Sequence, residues 1–421
     1  MLALGVHVGI ALAFVGFLGQ WVVLGDFGLG SSIFSTTPYS VAASFTFTML
    51  PLFILMGLFA EAGGISQHAY EVGHKWLGRL PGGLAITTVF ANALFAATCG
   101  VSAAAAAVFT KMAYPEMRKY GYQKGLALSS IAAAGTLAVL IPPSILMVLY
   151  GVMTGASVGK LMIAGFIPGI ILALFLAVAI YIRVKMNPSL APPVLVSATW
   201  TERLLSLRKV WGVFFLVLLV IGGIYGGIFT PTEAGATGAF GAFLLAVLAR
   251  RLTWRNLAST LSETAGTVAM LFIILIGAQV YSRFLAVSGV GTRFVEGVMG
   301  MGLPPMAIMA AFVVLYLILG TLIDGISILL ITLPIIYPIT QALGWDPIWF
   351  GIIVIVLIEI ALVTPPFAVN VFVVKAAAAD ATLEEVFRGV FPLFIAMVIF
   401  LVLIIAFPQL SLFLPGLMLK K

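Results

Sequence analysis

The chain has 421 residues, 62% of them hydrophobic and 8% charged, with a mean hydropathy of +1.22. A soluble domain carries about 25% charged residues, so this composition excludes one, and apolar runs that are continuous rather than alternating exclude a transmembrane β-barrel. The net charge of +7 comes from basic residues set between apolar segments, a topology signal rather than a nucleic-acid footprint.

In chain order, residues 2–24 form a first apolar segment, followed by a Gly/Ser/Thr-rich stretch at 25–40 that reads as a loop. A span covers 41–62, and 65–79, with His68, His74, Lys75, Trp76 and Arg79, reads as an interfacial helix. Residues 82–122 hold two apolar halves, each too short to cross about 30 Å of hydrocarbon, separated at Thr98–Ser102. That pattern predicts a re-entrant helical hairpin, whose irregular tip must lie inside protein or against a water-filled cavity. Residues 125–153 form a span broken at Pro142-Pro143, and 160–182 a plain span. The polar connection 183–209 carries Arg183, Lys185, Arg203, Arg208 and Lys209. Spans at 210–228 and 232–249 flank Thr230-Pro231-Thr232-Glu233, where Glu233 fits a helix cap. A span at 264–284, an interfacial stretch at 287–300, a hairpin at 304–342, a broken span at 348–378 and a last span at 389–407 lead to the tail at Lys420-Lys421.

The second half repeats the first. Tyr114-Pro115, Gly121 and Pro142 recur as Tyr337-Pro338, Gly344 and Pro365, each at an offset of 223 residues. Leu80-Pro81 and Leu303-Pro304 extend the match upstream. The expected organisation is an all-α polytopic membrane protein with repeats at 1–182 and 210–421 joined by a cytoplasmic linker at 183–209. Lys75, Arg79, Lys111, Arg118, Lys119 and Lys124 lie in 75–124, whereas 298–347 has no Lys or Arg. Basic short loops stay cytoplasmic, so the repeats are expected to be inverted, with Lys119 inside and Asp346 outside. Paired, interrupted hydrophobic segments in two halves point to the binding site of a secondary transporter.

The breaks carry the chemistry. Pro142-Pro143 and Pro365-Pro366 lack N–H groups, so the carbonyls of Ala138, Val139, Ala361 and Leu362 lose their helical donors. Such oxygens suit a small hard cation, and the half-helix beginning after each break offers its positive end to an anion. Candidate sodium ligands are Thr98, Gly100 and Ser102 at the first tip, Thr321, Asp324, Gly325 and Ser327 at the second, and those four carbonyls. Ser144, Thr364, Asn370 and Arg283 are candidate substrate contacts. Asp324 has an alternative as a helix cap, and Arg283 as a side chain reaching for lipid headgroups. Glu359 is a second carboxylate at membrane depth, a costly placement that marks function, unless it faces a water-filled crevice or pairs internally. Cys99, the single cysteine, reads as a packed small residue.

Several motifs resemble the large membrane subunit of the tripartite ATP-independent periplasmic (TRAP) transporters. They are Pro115-Glu116-Met117-Arg118, Tyr120-Gly121-Tyr122, Ala133–Leu137, Leu140–Ser144, Tyr225–Ala234, Asp324–Ser327, Asp346–Gly351 and Thr364-Pro365-Pro366. The resemblance covers nearly the whole chain. It implies sodium-coupled import of an organic acid across a bacterial inner membrane by an elevator movement, with sodium as a transported ion. It also implies a small four-helix membrane subunit and a periplasmic substrate-binding protein as partners. The sequence departs from the family pattern at Val101 and Ala105, where hydroxyls are usual, and at Phe367-Ala368. A self-sufficient carboxylate symporter of the same fold, a channel and a purely structural subunit are the alternatives. An enzyme is disfavoured, because no nucleotide motif, nucleophile set or metal cluster stands out in the sequence.

Overall fold

The computed structural model describes residues 5–193, 198–366 and 368–418, and among them every regular element is a helix. Phe367 and the Lys420-Lys421 tail lie outside the described residues. Seven of the described helices are long and apolar enough to cross a membrane. An eighth span results if Lys124–Leu140 and Ile145–Thr154, bent by 41° at the proline pair, count as one.

Element boundaries repeat as the sequence landmarks do. The first hairpin consists of Gly83–Cys99 and Ser102–Lys119, and the second of Pro305–Gly320 and Gly325–Ala342. The inner arms start at 102 and 325 and end at 119 and 342, an offset of 223 at both ends. The first broken span runs through Lys124–Gly135, Leu137–Leu140 and Ile145–Thr154, and the second through Pro347–Ala361 and Val369–Ala377. The interfacial helices are Ile65–Leu77 and Val290–Gly300, and the repeats close with Val158–Met186 and Leu383–Ala406.

Three elements differ from expectation. The stretch 25–40 is helical from Phe27 onward, within Phe27–Ala42. Asp26 caps that helix, accepting from Gly28 N at 2.6 Å and Leu29 N at 3.3 Å. Its Ser and Thr hydroxyls bond carbonyls three or four residues back, so polar residues read as loop formers serve the helix instead. The linker is docked rather than loose: Trp200–Leu207 packs on the first interfacial helix, Trp76 Nε1 donates to the Arg203 carbonyl at 3.2 Å, and Lys209 pairs with Glu71 at 2.6 Å. A short helix, Gln409–Gly416, follows the last span. Glu233 completes a capping box with Thr230, as its position predicts.

Two groups of helices form. In one, Val8–Leu24 lies along Trp254–Ser288, and Met49–Ala62 along Pro231–Leu248. Small residues permit the first contact, since a Cβ on Gly277 would lie 2.0 Å from the Gly9 carbonyl oxygen. Gln20, fully buried, donates to the Val280 carbonyl across the same seam at 2.9 Å. The other group holds both hairpins and both broken spans, and here the halves interlock. Val369–Ala377 packs on the first hairpin and first broken span, while Gly325–Ala342 packs on Ile145–Thr154.

Candidate functional site

The interlocking brings four chain breaks to one place. Gly100, with φ +69°, turns the first tip, and a Cβ there would meet the Pro143 carbonyl oxygen at 2.8 Å. A side chain is excluded by both the left-handed backbone and that contact. At the second hairpin, a Cβ on Gly325 would meet Ile358 at 2.5 Å. Between the tips lies a cavity of about 140 Å³, lined among others by Gly100, Ser102, Val139, Asp324, Gly325, Glu359 and Leu362. It is smaller than the roughly 300–1,000 Å³ of most ligand pockets, so it suits ions or a small polar group.

The cavity wall holds one polar bridge between the repeats. Ser102 Oγ lies 2.8 Å from Glu359 Oε1 and 2.7 Å from Oε2, so one hydroxyl proton serves both oxygens. Glu359 is 1% exposed and has no basic partner among the described residues. A buried carboxylate of this kind calls for a cation or a proton. Asn370 lies alongside: Gly135 separates its amide from the Ser102 backbone, at 3.4 and 3.0 Å from the position of a Cβ. Asn370 Nδ2 donates to the Ala132 carbonyl at 3.3 Å, while Oδ1 is buried with no partner. An orphaned buried acceptor requires explanation, and a cation ligand is one.

The two breaks differ. Pro142 and Pro143 are buried and supply no N–H, so the Ala138 and Val139 carbonyls have no donor four residues on. At the second break, the expectation of freed carbonyls fails. The Ala361 carbonyl accepts from Thr364 N at 3.0 Å, and the Leu362 carbonyl from Asn370 N at 3.1 Å. The backbone there folds back on itself and supplies the donors the prolines lack. Pro365 and Pro366 are exposed.

Other candidates fall into place one by one. Ser144 caps the helix after the first break, accepting from Met147 N at 3.3 Å. Asp324 caps Gly325–Ala342: Oδ1 accepts from Ser327 N at 3.1 Å, and Oδ2 accepts from the Ser327 hydroxyl. It also lines the cavity, so the cap and the site coincide. Thr98, Thr321 and Thr364 turn their hydroxyls to carbonyls of their own helices, those of Phe95, Ile318 and Ile360. Arg283 stands apart from the tips, on Trp254–Ser288, and donates to Thr37 Oγ1 at 3.0 Å. Its neighbour Ser282 lines a separate cavity of about 440 Å³ that also touches Met153, Leu333 and Tyr337. Glu359 was visible in the sequence as a carboxylate at membrane depth, but nothing in the one-dimensional pattern pairs it with Ser102, 257 residues away.

A family model described as tripartite ATP-independent periplasmic transporter, DctM component, matches residues 1–410. The chain is 36% identical over 382 residues to a C4-dicarboxylate TRAP transporter large permease protein of Pseudomonas aeruginosa, covering 90% of this chain and 88% of that protein. It is 30% identical over 377 residues to a sialic acid TRAP transporter large permease protein of Vibrio cholerae, covering 89% and 87%. It is also 30% identical over 412 residues to the 2,3-diketo-L-gulonate large permease protein of Escherichia coli, covering 97% and 95%. Among solved structures, the Alcanivorax borkumensis YdaH transporter superposes with a TM-score of 0.72 at 14% identity, over 96% of this chain and 99% of that one. At that identity the likeness concerns the fold.

Proposed function

Because this chain belongs to the DctM family, the large permease component of the tripartite ATP-independent periplasmic transporters, we propose that it imports an organic acid in symport with sodium ions. It is a multi-pass inner-membrane protein whose relatives are transporter permeases and not enzymes. The observation that carries the proposal is the cavity where both hairpin tips and Glu359 converge, with the orphaned Asn370 oxygen on the residue that follows Val369 of its lining.

The first sodium ion takes the Ala138 and Val139 carbonyls, the Gly100 backbone and Ser102, with Glu359 supplying the negative charge. The second takes Asp324, Gly325 and Ser327, with the remaining lone pairs of the Ala361 and Leu362 carbonyls. The substrate carboxylate lies against the helix start at Ser144, against Thr364 at the second break and against Asn370 in the first turn of Val369–Ala377. Arg283, on the other helix group, acts on the path of entry rather than at the tips. The hairpins and broken spans move as a unit against the other helices, an elevator that exposes the cavity on each side in turn. The repeats are inverted, as the Lys/Arg asymmetry supports. With cysteine placed at exposed Lys119 or exposed Gln341, an impermeant maleimide added to intact cells reacts at 341 alone. Reaction at both positions removes the inversion.

The partners are a small four-helix membrane subunit and a periplasmic binding protein that delivers the acid. Proteoliposomes with an inward sodium gradient test the reading, adding components one at a time. Uptake requires all three, depends on sodium and falls about tenfold or more in Glu359→Ala, which leaves the buried Ser102 hydroxyl unpaired. Sodium-driven uptake of free acid by this chain alone favours instead a self-sufficient carboxylate symporter.

A further inference from the structure

A second feature lies away from the tips, on the outer face of the hairpin group. Val158–Met186 and Leu383–Ala406 diverge there to leave an apolar groove of about 660 Å³. Its walls include Leu174, Val178 and Ile182 from one helix and Ile395 and Ile399 from the other. All five are exposed, at 44–55%, and the Phe175–Phe400 ring contact at 6.0 Å joins the two helices. From Leu174 to Arg183 the helix rises about 14 Å, close to half of a hydrocarbon core of about 30 Å. The groove thus has the depth of one leaflet.

At its basic end the groove meets a polar pocket of about 390 Å³, and Arg183 lines both. Arg118, Lys124 and Arg388 line the pocket too, with Glu385 as its carboxylate. Lys124 is paired with Asp380 at 3.3 Å, and Arg388 with Glu384 at 2.6 Å. Arg118 and Arg183 make no ion pair among the described residues. Each instead donates to a backbone carbonyl, Arg118 to Tyr122 at 2.7 Å and Arg183 to Gly389 at 2.6 Å. Each guanidinium keeps further N–H donors in a planar fork suited to a phosphate.

We propose that this groove and pocket together bind one anionic phospholipid, with the acyl chains along Leu174–Ile182 and Ile395–Ile399 and the headgroup phosphate on Arg118 and Arg183. Apolar depth and unpaired basic charge meet at the level where a phospholipid changes from chain to headgroup. Basic pockets between membrane helices recognise anionic headgroups in this way. Because the site sits on the group that carries the hairpins, bound lipid reports on the stability of that group independently of sodium or substrate.

The test uses the full chain in detergent, titrated with dioleoyl-phosphatidylglycerol or dioleoyl-phosphatidylcholine, with thermal unfolding and native mass spectrometry as readouts. Phosphatidylglycerol raises Tm by several degrees more than phosphatidylcholine, and a one-to-one phosphatidylglycerol adduct persists. Arg118→Gln with Arg183→Gln removes the difference between the lipids. Val178→Trp, which fills the groove and leaves the charges, removes the adduct. Arg255→Gln, a basic residue outside the pocket, keeps both effects. Equal shifts from the two lipids, an adduct that survives both variants, or the same shift from inorganic phosphate with phosphatidylcholine overturns the proposal.

Discussion

The two hairpins carry the same landmarks 223 residues apart and are covered very differently. In Gly83–Cys99 nearly every residue is buried, whereas Pro305–Gly320 buries only Ile308, Met309, Phe312, Tyr316 and Gly320. The interfacial helices follow suit: Ile65–Leu77 buries five residues against its neighbours, and Val290–Gly300 buries none. The first proline pair is buried and the second exposed. Covering comes partly from repeated elements placed differently, since Ile65–Leu77 and Val158–Met186 pack on Gly83–Cys99 while their counterparts Val290–Gly300 and Leu383–Ala406 make little contact with Pro305–Gly320. It comes partly, too, from elements that are not repeated. Trp200–Leu207 and the helix starting at Trp211 pack on the first interfacial helix and the first hairpin, and nothing equivalent reaches the second among the described residues. A repeat in sequence therefore sets where the chain breaks, while the surroundings set how tightly each break is held.

The largest expected effect separates the breaks. Pro142-Pro143→Ala-Ala restores helical donors to two carbonyls and lowers sodium-dependent uptake about 100-fold, at about 1.5 kcal/mol for each lost ligand. Pro365-Pro366→Ala-Ala costs about tenfold, because the Ala361 and Leu362 carbonyls already accept hydrogen bonds. Uptake assays over a range of sodium concentrations measure both, and equal losses would erase the distinction.

The hairpin arms offer a comparison in stability. A Cβ on Gly83 would lie 2.4 Å from the Leu77 carbonyl oxygen. Gly83→Ala therefore destabilises the chain by about 1–3 kcal/mol through overpacking. The residue 223 positions on is Met306, 59% exposed, and Met306→Ala changes stability by no more than about 0.5 kcal/mol. Thermal unfolding in detergent reads both, and a Met306 effect as large as that of Gly83 would show the second arm to be packed.

The smallest effect concerns the interfacial helices. Burial holds the His68 and His74 imidazoles below their ordinary value. With pKa depressed in the fold, the neutral rings are favoured, so no penalty exists above the unfolded value of about 6.5. The penalty grows as pH falls from there towards the folded values. Both rings are partly exposed, which limits the loss to about 1 °C in Tm between about pH 7.5 and about pH 5.5. His68→Gln with His74→Gln abolishes that part of the pH dependence. Val290–Gly300 contains no histidine and contributes nothing to it.

Much of the fold follows from local physics. Apolar length, proline pairs without N–H groups, glycines at tips and Asp324 and Glu233 at caps are read one segment at a time, and the spacing of the breaks gives the repeat. The helix at 27–42 escaped because its Ser and Thr hydroxyls bond its own carbonyls, which composition cannot distinguish from a loop. The site was legible as breaks and as single polar residues near them, not as pairs. The pairing of Ser102 with Glu359, the orphaned oxygen of Asn370 and the donors that occupy the second break's carbonyls arise from contacts across hundreds of residues, or from a backbone that folds back after its prolines. Those depend on how the halves interlock. A sequence fixes which groups lose their helical partners, and only tertiary packing decides which of them find new ones.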